Sequence, residues 1–154
     1  MIKGKHSVTI LIAEDDPDDR LLTIEAAKEA RLANDIVFVE DGVELLDYLN
    51  QRGAFETKQG SSLPGLILLD LNLPRMDGRQ ALAEIKANAE FRRIPVIVMT
   101  TSKAEEDILR SYELGVSGYV TKPVKFDDLV NIIRIMGKYW FEIVELPPEP
   151  DRSS

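Results

Sequence analysis

The sequence predicts an α/β domain, a doubly wound five-stranded parallel sheet covered on both faces. Two observations carry that expectation. Short apolar runs alternate with helix-period segments five times along the chain, which is the pattern of strands joined through helices. Runs such as "LILL" (66–69) are unbroken by polar residues, as befits strands buried on both sides.

Each element follows in order. "SVTILIA" (7–13) is the first strand, and "PDDRLLTIEAAKEARLA" (17–33) is a helix with Pro17 at its start and Leu21, Leu22, Ile24, Ala27 and Ala30 near helical spacing. "DIVFVE" (35–40) is the second strand and "GVELLDYLNQ" (42–51) a short helix. "RGAFETKQGSSLP" (52–64) is a polar, Gly-containing loop, the one long connection. "GLILL" (65–69) is the third strand, "GRQALAEIKANA" (78–89) a helix, and "IPVIVMT" (94–100) the fourth strand. "KAEEDILRSYELG" (103–115) is a helix ending at Gly115, "GYVT" (118–121) the fifth strand, and residues 125 to about 144 a long helix. The domain is expected over residues 7–145, after an N-terminal arm (1–6) and before a proline-rich tail (146–154) expected to be disordered. No internal repeat is visible.

Composition narrows the chemistry. The 154 residues suit one domain with its own core, and no apolar run is long enough to span a membrane. There is no cysteine, hence no disulfide, thiolate nucleophile or Cys-based metal site. The single histidine, His6, lies in the N-terminal arm, which argues against a Ser-His-Asp triad or a histidine metal cage. A net charge of −8, from 27 acidic and 19 basic residues, repels phosphate backbones and disfavours direct nucleic-acid binding. A cytoplasmic location fits.

In a doubly wound sheet the ligand crevice lies outside the carboxyl ends of the strands. After the first strand comes "EDDPDD" (14–19), after the third Asp70, after the fourth "TTS" (100–102), and after the fifth Lys122-Pro123. Singly, each has an ordinary explanation: Asp16 as a helix N-cap with Asp18 and Asp19 complementing the helix dipole, Thr100 as a strand end, Lys122 as a turn residue. Together they are harder to dismiss. Two carboxylates about 5 Å apart repel by roughly 3 kcal/mol at an effective dielectric near 20, so Glu14, Asp15 and Asp70 on one rim call for a cation. An all-oxygen site with few protein ligands suits Mg²⁺, with Mn²⁺ able to substitute. Metal, ammonium and hydroxyl around one carboxylate form a receptacle for a phosphoryl group, with Asp70 as its nucleophilic acceptor.

With "LIAEDD", "LILLDLNLPRMDG", "IPVIVMTTS" and "GYVTKP" in this order, the chain resembles the receiver domain of two-component response regulators from Val8 to about Val144. The resemblance implies the flavodoxin-like strand order 2-1-3-4-5. It implies that Asp15 ligates Mg²⁺ directly, Glu14 through water, and Asp70 and the main-chain carbonyl of Asn72 directly. Asp70 would be the phosphoacceptor. Thr100 and Lys122 would bind phosphoryl oxygens, with help from the main-chain amide of Thr101. Tyr119 would be the aromatic switch that packs inward when Thr100 moves toward the phosphate. Pro123 is expected to follow a cis bond, and Gly78 fits the glycine of the loop after the phosphorylation site. Thr101 departs from the Ala or Gly usual there; its larger side chain can hinder water or crowd the site, which leaves the phosphate lifetime open. "VMTTS", the long loop before the third strand and "KYWFEIVELP" look like the stand-alone regulators that pair with bacterial and cyanobacterial phytochrome histidine kinases.

On the last helix Leu129, Ile133, Met136, Trp140 and Val144 form one apolar stripe, and Ile132, Ile135, Tyr139 and Ile143 a second. The combined arc is wider than packing on one sheet requires. The second stripe is therefore expected to meet a partner, with a two-fold homodimer through the helix four–strand five–helix five face the simplest case.

The resulting expectation is a phosphoacceptor signalling protein rather than an enzyme acting on other substrates. A sensor histidine kinase, phytochrome-type by resemblance, would phosphorylate Asp70, and output would pass through partner binding, since only a short tail follows the last helix. Rival readings are weaker. A haloacid-dehalogenase-type phosphatase needs a second Asp where Asn72 stands, and a P-loop switch needs glycines that "EDDPDDR" lacks. A receiver-fold binding or dimerisation module acting without phosphorylation has no physical need for Asp70, Thr100 and Lys122 together.

Overall fold

The computed structural model describes residues 9–58 and 63–138. Five parallel strands, β1 (Ile10–Ala13), β2 (Ile36–Val39), β3 (Leu66–Leu69), β4 (Val96–Thr100) and β5 (Gly118–Thr121), lie in the order β2-β1-β3-β4-β5. Five helices alternate with them: α1 (Pro17–Glu29), α2 (Gly42–Asn50), α3 (Gly78–Ala87), α4 (Glu105–Glu113) and α5 (Phe126–Lys138). Fold class and strand order are as expected.

The two-residue period of each strand divides the core. Leu11, Ala13, Ile67, Leu69, Val96 and Val98 face the apolar sides of α2 and α3, where Leu45, Leu49, Leu82 and Ile85 are buried. Ile10, Ile12, Leu66, Leu68 and Ile97 face Ala26 and Ala27 of α1 and Leu129, Val130, Ile133 and Met136 of α5. In register, Ala13 pairs with Val39 on one side and Leu69 on the other, and Thr100 with Thr121. Strands β1 and β3 therefore end level with each other, so the chain leaves both at one rim.

Several boundaries differ from expectation. Helix α1 stops four residues early because Arg31 takes φ +58° and the Leu32 amide bonds back to the Ala27 carbonyl, a left-handed closure that turns the chain toward β2. Leu21, placed on the apolar face by spacing, is exposed, while Thr23, Ala26 and Ala27 are the buried positions of α1. The long connection holds a 3-10 helix at Gly53–Lys58, where Phe55 packs edge-on against Tyr48 with ring centroids 5.1 Å apart. A second 3-10 turn, Phe91–Arg93, buries Phe91 before β4.

The arm (1–6) and the tail (146–154) lie outside the described residues, as do Tyr139, Trp140, Ile143 and Val144. Within the described part of α5, Leu129, Ile133 and Met136 are buried as the first stripe requires. Of the second stripe, Ile132 is half-buried against the protein's own core, and Ile135 is exposed at 64%. At about 100° per residue Ile132 lies within about 60° of both Met136 and Leu129, whereas Ile135 sits about 60° further from that buried stripe.

Candidate functional site

Four strand ends and a helix start meet at one rim. Glu14 continues from β1 and is buried, its backbone amide bonded to the Val39 carbonyl. Asp15 follows and is exposed. Asp16 caps α1 by accepting from the Asp18 amide at 2.9 Å, and Pro17 opens the helix without a lost hydrogen bond. Asp70 follows β3, buried, its amide held by the Ala13 carbonyl at 3.2 Å. Glu14, Asp15 and Asp70 each offer a carboxylate oxygen, and these lie within 4.8 Å of one another. Such a set of anionic oxygens, two buried and one open to solvent, fits a hard divalent cation that keeps some of its water.

Lys122 enters from the end of β5, where its amide bonds to the Thr100 carbonyl and the bond to Pro123 is cis, as expected. Its ammonium donates to Glu14, to Asp19 at 2.9 Å and to Asp70 at 3.1 Å. All three of its protons are therefore committed to carboxylates. Burial works against the charged Lys122, but its bonds to Glu14 and Asp19, with the fields of Glu14 and Asp70, raise its pKa and keep it protonated. Burial also pushes the Glu14 carboxyl up, against the pull of Lys122 and with a further push from Asp70. An additional cation would offset that cost by favouring the ionised carboxylate.

The fourth corner is the hydroxyl side. Thr100 is fully buried at the end of β4. Its Oγ1 accepts from Asn72 Nδ2 at 3.3 Å and from the Ser102 amide at 3.5 Å, which leaves its own proton free to donate. Asn72 Nδ2 also donates to Thr101 Oγ1 at 3.0 Å, and the Asn72 amide donates to Asp70 Oδ1 at 2.9 Å. Asn72 thus joins the Asp70 carboxylate to both threonines. Tyr119 packs against the α2–α3 side of the core and donates its hydroxyl to the Ser102 carbonyl at 3.0 Å.

Gly78 is required by close approach. A Cβ there would lie 2.2 Å from the Asp70 carbonyl oxygen and 2.7 Å from Leu71 Cα. Both are backbone atoms of the loop that begins at Asp70.

The structure therefore brings Glu14, Asp15, Asp70, Asn72, Thr100 and Lys122 to one rim, with Thr101 and Tyr119 beside them. Two features escaped the sequence. Asp19, read as a helix-dipole acid, is also a partner of Lys122; its place in the first turn after "ED" was the available signal. The Asn72 side chain was overlooked in favour of its carbonyl, although an amide two residues past an acidic strand end is a ready bridge. Among the described residues no helix is long and apolar enough to cross a membrane.

The response regulator receiver domain model matches residues 10–134. The chain belongs to this family. Response regulator Rcp1 of Synechocystis sp. is 43% identical over 138 residues, covering 90% of this chain and 92% of Rcp1. The solved structure of Rcp1 in its Mn²⁺-bound form matches with a TM-score of 0.80 at 42% identity, covering 92% of this chain and 99% of that one. The phosphorylated cyanobacterial phytochrome response regulator RcpA matches with a TM-score of 0.80 at 40% identity, covering 92% and 99%. Response regulator RPA3017, of red-light signalling in R. palustris, matches with a TM-score of 0.82 at 34% identity, covering 92% and 99%. This receiver is thus a two-component signalling protein with phytochrome-associated homologues.

Proposed function

We propose that this receiver takes a phosphoryl group onto Asp70 from a sensor histidine kinase of the phytochrome type and signals by changing its protein–protein contacts. The observation that carries the reading is the seat of Lys122: its ammonium lies 3.1 Å from Asp70, on a rim where Glu14 and Asp15 add two carboxylates within 4.8 Å. Glu14, Asp15, Asp70 and the Asn72 carbonyl would hold Mg²⁺ or Mn²⁺, which when bound neutralises charge that builds on the transferring phosphoryl oxygens. The Mn²⁺-bound state of Rcp1 supports that assignment.

The chemistry balances without further reagents. A carboxylate oxygen of Asp70 attacks phosphorus in line, the P–N bond of the kinase's phosphohistidine breaks, and the imidazole leaves with the electron pair. Lys122 exchanges a carboxylate for a phosphoryl oxygen, and the free proton of Thr100 turns to another, aided by the Thr101 amide. As Thr100 moves in, Tyr119 fills the space behind it and the α4–β5–α5 face changes population between two states. That face is the proposed homodimer surface, with Ile135 of α5 and Leu109 and Tyr112 of α4 exposed on the two helices. The receiver unit is assigned to residues 7–145 and its setting to the cytoplasm, where the kinase's phosphohistidine would reach it.

The test is incubation with a small phosphodonor and Mg²⁺, followed by intact-mass measurement. One phosphoryl group is expected on the parent and none on Asp70→Asn. Absence of any gain would instead favour a binding module that works unphosphorylated. Transfer profiling against a panel of histidine kinases that includes phytochromes tests the donor.

A further inference from the structure

Lys122 is a cation already seated among the carboxylates that would hold a metal ion. Glu14 gives one carboxylate oxygen to its ammonium and the other to the Asp16 amide at 3.1 Å. Asp70 gives Oδ2 to the ammonium at 3.1 Å and Oδ1 to the Asn72 amide at 2.9 Å. Every carboxylate oxygen of the two buried acids thus accepts a hydrogen bond, and Lys122 stands on one oxygen of each. A divalent ion on the Glu14–Asp15–Asp70 rim therefore meets a positive charge that shares two of its three carboxylates, and like charges a few ångströms apart repel.

The third partner of the ammonium lies outside that group. Asp19 accepts from Lys122 at 2.9 Å, but the three carboxylates whose oxygens approach within 4.8 Å are those of Glu14, Asp15 and Asp70. Asp19 sits in the first turn of α1, where the helix N-terminus favours a charged carboxylate, and the Thr23 hydroxyl donates to its carbonyl at 2.8 Å. Its side chain is 37% accessible, against 8% for those of Glu14 and Asp70. One of the three bonds that satisfy the ammonium is therefore made by an acid with no other part in the rim.

We propose that Asp19 is a positioning residue that shares the Lys122 ammonium from α1 and so keeps the acidic rim able to take a divalent cation; this rests on the reading of that rim as a Mg²⁺ site. Without the Asp19 carboxylate, Glu14 and Asp70 are the partners left to the ammonium among the described residues. Its charge then falls more fully on those two, and an incoming cation has to displace it from both.

The experiment titrates Mg²⁺ by calorimetry into the parent, Asp19→Asn and Asp18→Asn. Asp18 is the matched control: it stands one residue earlier in the same turn, exposed, with the same charge, and is not among the partners of Lys122 in the described residues. Asp19→Asn is expected to weaken Mg²⁺ binding about fivefold, the size of one partly exposed ion pair, and Asp18→Asn by about twofold at most at physiological ionic strength. In a Lys122→Met background the Asp19→Asn loss should shrink to that of Asp18→Asn, because the contact it acts through is gone. A merely structural ion pair would lower the melting temperature and leave the Mg²⁺ affinity of the folded variant unchanged. An unchanged or tighter Kd in Asp19→Asn, an equal loss in Asp18→Asn, or a loss undiminished without Lys122 each overturns the proposal. If the parent itself binds no Mg²⁺, the metal reading of the rim falls and takes the role of Asp19 with it, whereas binding by the parent with an unaffected Asp19→Asn removes the role of Asp19 alone.

Discussion

Asp15→Asn is expected to stabilise the metal-free protein and destabilise the Mg²⁺-saturated one, reversing the order of variant and parent when the cation is added. Carboxylate oxygens of Glu14, Asp15 and Asp70 approach within 4.8 Å of one another. At that separation two unit charges repel by about 1 kcal/mol in water-like surroundings and by about 3.5 kcal/mol at an effective dielectric near 20. Asp15 is exposed, so its repulsions toward Glu14 and Asp70 sit near the lower figure. The Lys122 ammonium bonds Glu14, Asp19 and Asp70 and relieves those charges first. An amide of the same shape removes both repulsions, a gain of about 1–2 kcal/mol without metal. With Mg²⁺ at a hundredfold excess over its Kd the parent gains about 2.7 kcal/mol by linkage, most of which the variant forfeits with its charged ligand. Urea unfolding followed by circular dichroism, in EDTA and in Mg²⁺, reads both arms. A variant no more stable than the parent in EDTA, or one that keeps the whole Mg²⁺ increment, would overturn this account of the acidic rim.

Three further outcomes are expected. Gly78→Ala places a Cβ 2.2 Å from the Asp70 carbonyl oxygen, where only backbone can yield, and should cost about 3 kcal/mol in urea unfolding; an unchanged midpoint would disprove the close approach. Asp107 titrates at about 2 in the folded protein against 3.8 for the free side chain, because Arg79 and Ser102 bond its carboxylate. The unfolded chain then takes up the proton more readily, so the contribution, about 1 kcal/mol with a partly exposed partner, is complete above about pH 4 and lost as pH falls toward about 2. Asp107→Asn should flatten the acid limb of stability in that window, and an identical acid profile would contradict the pairing. Ile135→Asp should leave stability within about 0.5 kcal/mol of the parent while shifting light scattering of a dimer to the monomer mass; an unaltered mass would move the interface elsewhere.

Chain order and strand ends were legible in the sequence. The apolar runs near Ile10, Leu66 and Val96 marked the inner strands because burial on both faces demands unbroken apolar character, and the shorter runs near Ile36 and Tyr119 form the half-buried edge strands. Glu14, Asp15, Asp70, Thr100 and Lys122 were legible because a doubly wound sheet sends all its strand ends to one rim, so position along the chain translates into position in space. What lies across that rim was not written locally. Asp19 satisfies the rule for an acid in a helix's first turn, and nothing near it reveals an ammonium 103 residues away. Arg79 and Asp107, 28 residues apart on different helices, likewise each look like solvated surface charges.

Helix α5 shows the same division. Its periodicity identified Leu129, Ile133 and Met136 as core, and only the folded chain shows Ile132 half-buried and Ile135 open, because which flank a neighbouring element covers is set by packing. Local pattern and a single topological rule are enough to set the elements, their order and the chemical groups delivered to the rim. Which charges touch is a property of the folded chain alone: side-chain pairing depends on distances of a few ångströms between segments remote in the chain, and no local periodicity encodes them.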